Sequence, residues 1–368
     1  MNVVVRTDAS IDIGTGHAMR CLTLADALRE QGAKCFFVCR EHPGNLLKYI
    51  RRRGFEACSL PVARGCEAGD RTSAETYPAH AAWLGTDWEN DAQQTRDMLG
   101  NSAIDWLIVD HYALEERWER KLRPACSRLM VIDDLADRPH DCDLLLDQNL
   151  GREPADYATL VPDNSKILAG PKYALLRPGF AALRQHSLDR RATPHLKRLL
   201  ITMGGSDKDN ATGKVLDALK LCSLPSDCHI TIVMGANAPS LDLVRAVAEK
   251  MPWITEVKVD VNDMARLMAD SDLAIGAAGT TALERCCLGL PSLTTVLADN
   301  QRDGAAALES SGSVVLLGGA DFIARDLPRK LESLLESNKL SAMQCACQVV
   351  ADGEGTARVV NDLMSLHD

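Results

Sequence analysis

Short apolar segments alternate with helical patterns along this chain, and the alternation occurs twice. The first series contains strand candidates at 2–6, 34–39, 55–60, 105–110, 128–133 and 143–147, and the second at 198–203, 229–234, 255–259, 272–276, 292–296 and 313–316. Strands that alternate with helices form parallel sheets covered on both faces. The chain of 368 residues is long enough for two such domains. We therefore predict an α/β fold of two doubly wound, Rossmann-like domains facing a cleft.

The alternation lapses between the two series, and this gap sets the expected domain boundaries. Residues 171–197 are rich in proline and basic side chains, so they are interpreted as the interdomain linker. The prediction is an N-terminal domain over 1–170 and a C-terminal domain over 198–340. The remaining segment, 341–368, carries no recognised motif and is expected to be a structural helix that packs back on the first domain.

Composition and charge exclude several classes of protein. No apolar run approaches the roughly 18 residues that span a bilayer, and the N-terminus lacks the pattern of a signal peptide. The formal net charge of −10 argues against a nucleic-acid partner, because such partners require basic surfaces. The 13 cysteines show no C-x-x-C spacing, so we expect reduced thiols in a cytoplasmic protein. The run His140–Asp143 leads into an apolar strand, so it is interpreted as a strand start rather than a metal site.

The first strand runs into a glycine loop that opens a helix. The apolar run Val3–Val5 is followed by Gly14-Thr15-Gly16, and His17 stands in the first helical turn. Such a junction presents backbone N–H groups and the positive end of a helix, which favour a phosphate or another anion. His17 adds a titratable side chain at the same place. It is either a reactive group or a first-turn helix residue.

Three strands of the first series end in polar residues. The endings are Asp110-His111-Tyr112, Asp133-Asp134 and Asp147-Gln148-Asn149. Because ligands bind beyond the carboxyl ends of parallel strands, these endings predict a pocket lined by carboxylates. Tyr112 can donate to a sugar hydroxyl or acetamido group. Asp110 can either orient His17 or bind a hydroxyl.

The second series contains two comparable junctions. Met203–Asp207 joins a strand to a helix through glycines, and its backbone amides can face a diphosphate. The run Gly276–Glu284 is built of small residues that allow a ligand to approach the backbone. Glu284 shares a helix face with Thr280 and Thr281, where it can bind a ribose diol. The alternative is a capping box made by Thr281 and Glu284, and the spacing alone favours it.

Together these stretches resemble nucleotide-sugar enzymes of the GT-B type. Within that group the chain is most similar to the UDP-sugar hydrolases of pseudaminic acid biosynthesis, whose substrate is UDP-2,4-diacetamido-2,4,6-trideoxy-β-L-altropyranose. The similarity extends from residue 3 to residue 301. The stretches that carry it are Arg6–Ser10, Ile13–His17 with Arg20, Trp83–Gly85, Asp110–Tyr112, Asp133-Asp134, Tyr173–Arg177, Met203–Asp207 and 277–301.

The resemblance implies a metal-independent hydrolysis that uses no cofactor. His17 would be the general base for water attack at the anomeric carbon, with inversion. Arg20, one turn away, would keep the imidazole neutral. The residues expected to contact the sugar are Gly16, Arg20, Asp110, Tyr112 and Arg177. Those expected to bind UDP are Gly205, Ser206, Met234, Gly279, Thr280, Thr281, Glu284, Asn300 and Gln301.

Three other functions remain open at this point. A GT-B glycosyltransferase would pass a UDP-linked amino sugar to an acceptor, and it would need a membrane-docking surface. Arg51–Arg53 is the only dense basic run of the first domain, and it is more simply a solvated helix end. A sensor would bind the UDP-sugar without turnover, and a 2-epimerase would change its sugar. We expect a UDP-linked diacetamido sugar as partner, no membrane, and a monomer or weak oligomer.

Overall fold

The computed structural model describes residues 1–62, 78–100, 102–193, 195–335 and 339–367. The chain divides into two compact units, unit 1 (1–175 with 356–368) and unit 2 (176–355). Each unit contains one parallel sheet with helices on it, which confirms the predicted α/β class with two Rossmann-like domains.

Unit 1 is built on a seven-stranded parallel sheet with the order β3-β2-β1-β4-β5-β6-β7. Its strands are β1 (Asn2–Thr7), β2 (Lys34–Arg40), β3 (Glu56–Leu60), β4 (Ile104–Asp110), β5 (Cys126–Ile132), β6 (Leu144–Asp147) and β7 (Lys166–Ala169). Its first four helices are α1 (Gly16–Glu30), α2 (Leu47–Arg52), α3 (Trp88–Leu99) and α4 (Glu116–Leu122). The strand order reverses between β1 and β4, and ligands of doubly wound sheets bind at such a switch point.

Unit 2 repeats this arrangement with six parallel strands in the order β10-β9-β8-β11-β12-β13. Its strands are β8 (Arg198–Thr202), β9 (His229–Met234), β10 (Ile254–Val259), β11 (Leu273–Ala277), β12 (Ser292–Val296) and β13 (Val314–Gly319). Its helices are α5 (Pro178–Arg190), α6 (Ala211–Leu219), α7 (Leu241–Ala248), α8 (Met264–Ala269), α9 (Thr281–Cys287), α10 (Arg302–Ser310), α11 (Ile323–Leu335) and α12 (Lys339–Val350). Here the switch point lies between β8 and β11.

Alternating side chains of the central strands build a core on each face of the first sheet. Val3 and Val5 pack with α1 on one face, whereas Val4 packs with Trp118 of α4 on the other. The last helix, α13 (Gly355–His367), adds Leu363 to the first of these cores. The chain therefore returns to unit 1 after completing unit 2.

Two segments differ from the sequence expectation. The stretch interpreted as a linker contains α5, which begins with Pro178 at a position where proline favours a helix start. The single helix expected near 340–365 is two helices, α12 and α13, separated by Gly353 with a φ of 92°. Gly353 lies in the connection between the two helices, in a left-handed conformation that glycine adopts without strain.

Candidate functional site

The residues selected in the first half of the sequence meet at the switch point of unit 1. Thr7 at the end of β1 lies beside Asp110 at the end of β4 in the sheet register. The chain leaving β1 enters α1 at Gly16, and this places His17 next to Asp110, with 3.9 Å between Nδ1 and Oδ1. The topology thus joins residues that are far apart in the sequence.

His17 is held in its neutral form. Its side chain is 9% exposed, and Nδ1 has no hydrogen-bond partner among the described residues. Burial lowers the pKa of His17 to about 4; the nearby Asp110 opposes this shift and Arg20 adds to it. The ring meets Tyr112 edge-on, with 4.4 Å between the ring centroids. A neutral imidazole with an unused nitrogen can accept a proton.

Arg20 is fixed by two carboxylates. Its Nε and Nη2 each lie 2.7 Å from an oxygen of Asp110, and its Nη1 lies 2.6 Å from Asp134 Oδ2. The Tyr112 hydroxyl donates to the same Asp134 oxygen at 2.6 Å. Asp134 is therefore part of the group although it was not selected. Its sequence signals were its place in the strand ending Asp133-Asp134 and the presence of that pair among the stretches that carry the resemblance.

Aromatic rings line one side of the cluster that contains His17 and Tyr112. Trp83 stacks near Tyr112 with 5.9 Å between centroids, and His80 lies 4.4 Å from Trp83 and 5.4 Å from Tyr112. Two of the 15 Trp, Tyr and Phe residues of the chain, Trp83 and Tyr112, belong to this group. Such rings offer an apolar wall with polar edges, which suits a sugar ring.

A buried ionic network supports the carboxyl end of β1. Asp8 receives two hydrogen bonds from Arg6, at 2.6 and 2.9 Å, and a third from the backbone N–H of Arg40. Arg6 also donates to Asp91 of α3 at 2.7 Å. His111 Nε2 lies 3.3 Å from Asp8. These contacts fix the backbone from which the glycine loop departs.

A second carboxylate pair lies at the ends of β5 and β6. The Tyr157 hydroxyl is 3.0 Å from Asp133 Oδ2 and 2.8 Å from Asp147 Oδ2. Burial, assisted by the charge of Asp134, raises the pKa of Asp147 to about 7. Arg138 offsets the charge of Asp133 at 2.9 Å. The contacts of this pair with Tyr157 and Arg138 lie inside unit 1.

The helix that follows the glycine junction of unit 2 is capped by side chains of the chain itself. Asp207 accepts from the N–H groups of Ala211 and Thr212, and Asn210 accepts from that of Gly213. These side chains cap α6, so its first turn is not available to an anion. Gly205 and Ser206 remain at the surface at the end of β8.

The capping box considered for α9 does not form. The helix follows Thr280, whose side chain makes no capping hydrogen bond. Glu284 instead pairs with Arg177, 3.4 Å from Nη2 to Oε1. Burial raises the pKa of Glu284, and the charge of Arg177 opposes the rise. Gln301 anchors the next loop by accepting from the N–H of Leu297 at 3.0 Å.

The selected residues thus fall into two groups. Gly16, His17, Arg20, Asp110 and Tyr112 lie together in unit 1. The others belong to unit 2, at the carboxyl ends of its strands or the helix starts that follow; they are Arg177, Gly205, Ser206, Met234, Gly279, Thr280, Thr281, Glu284, Asn300 and Gln301. Arg177, expected at the sugar, lies beside Glu284.

In the part of the chain that the structure describes, no three His, Cys, Asp or Glu side chains are grouped so that they could hold a metal ion. No helix there is long and apolar enough to cross a membrane.

Comparison with protein families matches less than half of the chain. The sequence model of the glycosyltransferase family 28 C-terminal domain covers residues 199–356. This range falls within unit 2 apart from its last residue.

Curated relatives match more of the sequence. A hydrolase of UDP-2,4-diacetamido-2,4,6-trideoxy-beta-L-altropyranose from Campylobacter jejuni is 24% identical over 85% of this chain and 97% of its own length. The spore coat polysaccharide biosynthesis protein SpsG of Bacillus subtilis is 30% identical over 56% of this chain. An uncharacterized protein of Methanocaldococcus jannaschii is 25% identical over 82% of this chain. The chain spans 61% of the Bacillus protein and 57% of the Methanocaldococcus protein.

Solved structures identify the fold. MurG of Acinetobacter baumannii matches with a TM-score of 0.64 and 16% identity, over 99% of both chains. Together with the two parallel sheets, this match confirms the GT-B fold.

Proposed function

We propose that this protein hydrolyses UDP-2,4-diacetamido-2,4,6-trideoxy-β-L-altropyranose to UDP and the free sugar, as a step of pseudaminic acid biosynthesis. The observation that carries the proposal is the buried His17 in the first turn of α1, with its Nδ1 3.9 Å from Asp110 Oδ1 and its pKa lowered to about 4. Similarity to the Campylobacter hydrolase over 85% of the chain supports it. We further propose a cytoplasmic location, which is supported by the twelve free cysteines of the described residues.

His17 would act as general base for a water molecule that attacks the anomeric carbon. The imidazolium formed would be stabilised by Asp110, whose carboxylate Arg20 holds in place with two hydrogen bonds. Because UDP is a good leaving group, little acid assistance is needed, and a single displacement inverts the anomeric centre. Gly16, Arg20, Asp110 and Tyr112 would surround the sugar. Arg177 is the remaining proposed sugar contact.

Unit 2 would hold the UDP part. Glu284 carries a partly exposed carboxylate that can accept from both hydroxyls of a ribose. The other proposed UDP contacts are Gly205, Ser206, Met234, Gly279, Thr280, Thr281, Asn300 and Gln301. The backbone N–H groups of such residues can stabilise charge on a departing diphosphate without a metal. The family 28 match to residues 199–356 supports this assignment.

The test is ¹H and ³¹P NMR of the purified protein with the UDP-diacetamido sugar in EDTA, without an acceptor. We expect UDP and free sugar to appear together, with the inverted anomer formed first. Unchanged substrate would contradict the proposal. An intact UDP-linked sugar with altered configuration would indicate an epimerase.

A glycosyltransferase is the second candidate, because the matched family 28 domain is named for that activity. It would transfer the same kind of sugar to an acceptor rather than to water. Release of free sugar without an acceptor distinguishes hydrolysis from transfer. A transferase would show turnover only after acceptor is added.

The low pKa of His17 predicts the acid limb of the pH profile. Since His17 stays neutral until the pH approaches about 4, kcat/KM should not fall through its protonation between neutrality and pH 5.5. The measurement is kcat/KM from UDP release across this range. An acid limb centred near 6.5, the ordinary histidine value, would contradict the lowered pKa of His17.

The loop that follows β8 is held by a close contact between Gly205 and Gly235. A Cβ at this position would lie 2.4 Å from the carbonyl oxygen of Gly205, which accepts from the Gly235 N–H. Gly235→Ala must therefore move Gly205, and we expect UDP affinity to fall about tenfold. The measurement is calorimetric titration with UDP. Gly179→Ala is the matched control, because its Cβ would make an ordinary 3.5 Å contact; equal affinities of both variants would contradict the prediction.

A further inference from the structure

Arg285 of α9 is a buried cation without a carboxylate partner among the described residues. Its side chain is fully buried, and no Asp or Glu oxygen of the described residues lies within 4 Å of its guanidinium. The neighbouring Glu284 is committed to Arg177. Burial lowers the pKa of Arg285 from its usual value, although an arginine stays protonated in proteins. An uncompensated buried charge is costly, so its position calls for an explanation.

The guanidinium lies at the carboxyl end of β11. Nη2 donates to the carbonyl oxygen of Ala277 at 2.8 Å, and Nη1 lies 3.4 Å from the hydroxyl of Thr281. A Cβ on Gly276 would come within 2.6 Å of Nη1, so the guanidinium lies directly against the end of β11. Gly276 pairs with Thr202 at the end of β8, which places Arg285 at the switch point of unit 2.

The contacts of Arg285 leave much of its positive charge unneutralised. Its acceptors are one carbonyl and two hydroxyls, the second being that of Thr294 at 3.5 Å, and Nε has no partner among the described residues. Carbonyl and hydroxyl dipoles satisfy a guanidinium only in part. Because the surroundings exclude water, the remaining field is weakly screened near the segment Ala277–Thr281.

We propose that Arg285 is a positioning residue for the diphosphate of the nucleotide, acting through its hydrogen bond to Ala277 and through its unneutralised charge. The inference rests on the proposed function, since Gly279, Thr280 and Thr281 are the proposed UDP contacts. An anionic diphosphate bound at this segment would complete the charge balance that the protein leaves open. Uridine without phosphates would gain little from Arg285.

The test compares UDP and uridine binding by isothermal titration calorimetry in the full chain. Arg285→Gln removes the charge but keeps a donor for Ala277, and Arg285→Lys keeps the charge without the planar fork. Arg266→Gln is the matched control, because it removes an exposed arginine paired with Asp270 in the same unit. We expect Arg285→Gln to weaken UDP binding roughly tenfold or more and uridine binding less than about twofold. Arg285→Lys and Arg266→Gln should keep the wild-type ratio of the two affinities.

Several outcomes would overturn the inference. Equal losses of UDP and uridine affinity in Arg285→Gln would show a purely structural role. No loss of either affinity would show that Arg285 has no role in binding. If Arg285→Gln does not fold, Arg285→Lys is the deciding variant. A loss of its UDP affinity relative to its uridine affinity would contradict a role of the charge. Failure of the wild-type protein to bind UDP would instead reject the proposed function.

Discussion

Replacing His17 by asparagine is expected to lower kcat by about 10²–10⁴-fold, the usual contribution of a general base. The physical reason is that asparagine cannot take a proton from the attacking water, although it occupies a similar volume. UDP affinity should remain nearly unchanged, because the proposed nucleotide contacts lie in unit 2. Single-turnover UDP release and calorimetric titration with UDP measure the two effects separately.

The control for this variant is His186→Asn, which changes an exposed histidine paired with Asp270. It should retain normal turnover. Near-normal activity of His17→Asn would remove His17 from the mechanism. Loss of UDP binding together with turnover would indicate that the variant perturbs the fold rather than the chemistry.

Replacing Asp91 by alanine is expected to destabilise unit 1 by about 3–5 kcal/mol, the cost of leaving buried charges without their partner. Asp91 accepts from Arg6 at 2.7 Å, from Arg40 at 2.5 Å and from the indole N–H of Trp118 at 2.9 Å. Burial alone would raise the pKa of Asp91, but the two arginines hold it below its usual value. The carboxylate thus stabilises the fold at neutral pH, and this stabilisation is lost as the pH falls below about 4.

Urea unfolding followed by tryptophan fluorescence measures this effect, because four of the five tryptophans (Trp83, Trp88, Trp106 and Trp118) lie in unit 1. Asp97→Ala is the control, since Asp97 is an exposed residue of the same helix. We expect its midpoint to stay close to that of the wild type. A midpoint for Asp91→Ala equal to that of Asp97→Ala would show that the network adds no stability.

Much of the fold follows from local patterns. The apolar run Val3–Val5 and the glycine loop before His17 predicted a strand, a turn and a helix in the right places. Hydrophobic periodicity is a local property of the sequence, so it predicts helices and strands without knowledge of the tertiary contacts. The prolines and basic side chains of 171–197 predict a linker, whereas packing against α8 and α9 in unit 2 stabilises the helix α5 there.

The candidate site was predicted only in outline. Strand endings indicated Asp110 and Tyr112, because parallel strands bring their carboxyl ends to one edge. Asp134 shares its contacts with Arg20 and Tyr112, which no spacing could reveal. The capping box at Glu284 was the simpler reading of its spacing, and the ion pair with Arg177 displaced it.

The sequence by itself determined the class of fold, the two sheets and the glycine junctions, since these depend on the order and polarity of neighbouring residues. Only the tertiary structure decided the electrostatics. The neutrality of His17, the network of Asp91 and the unpaired charge of Arg285 all depend on burial and on partners brought together by the strand order. Burial changes the energy of a charge far more than sequence neighbours do, and it is fixed only once the sheets are packed.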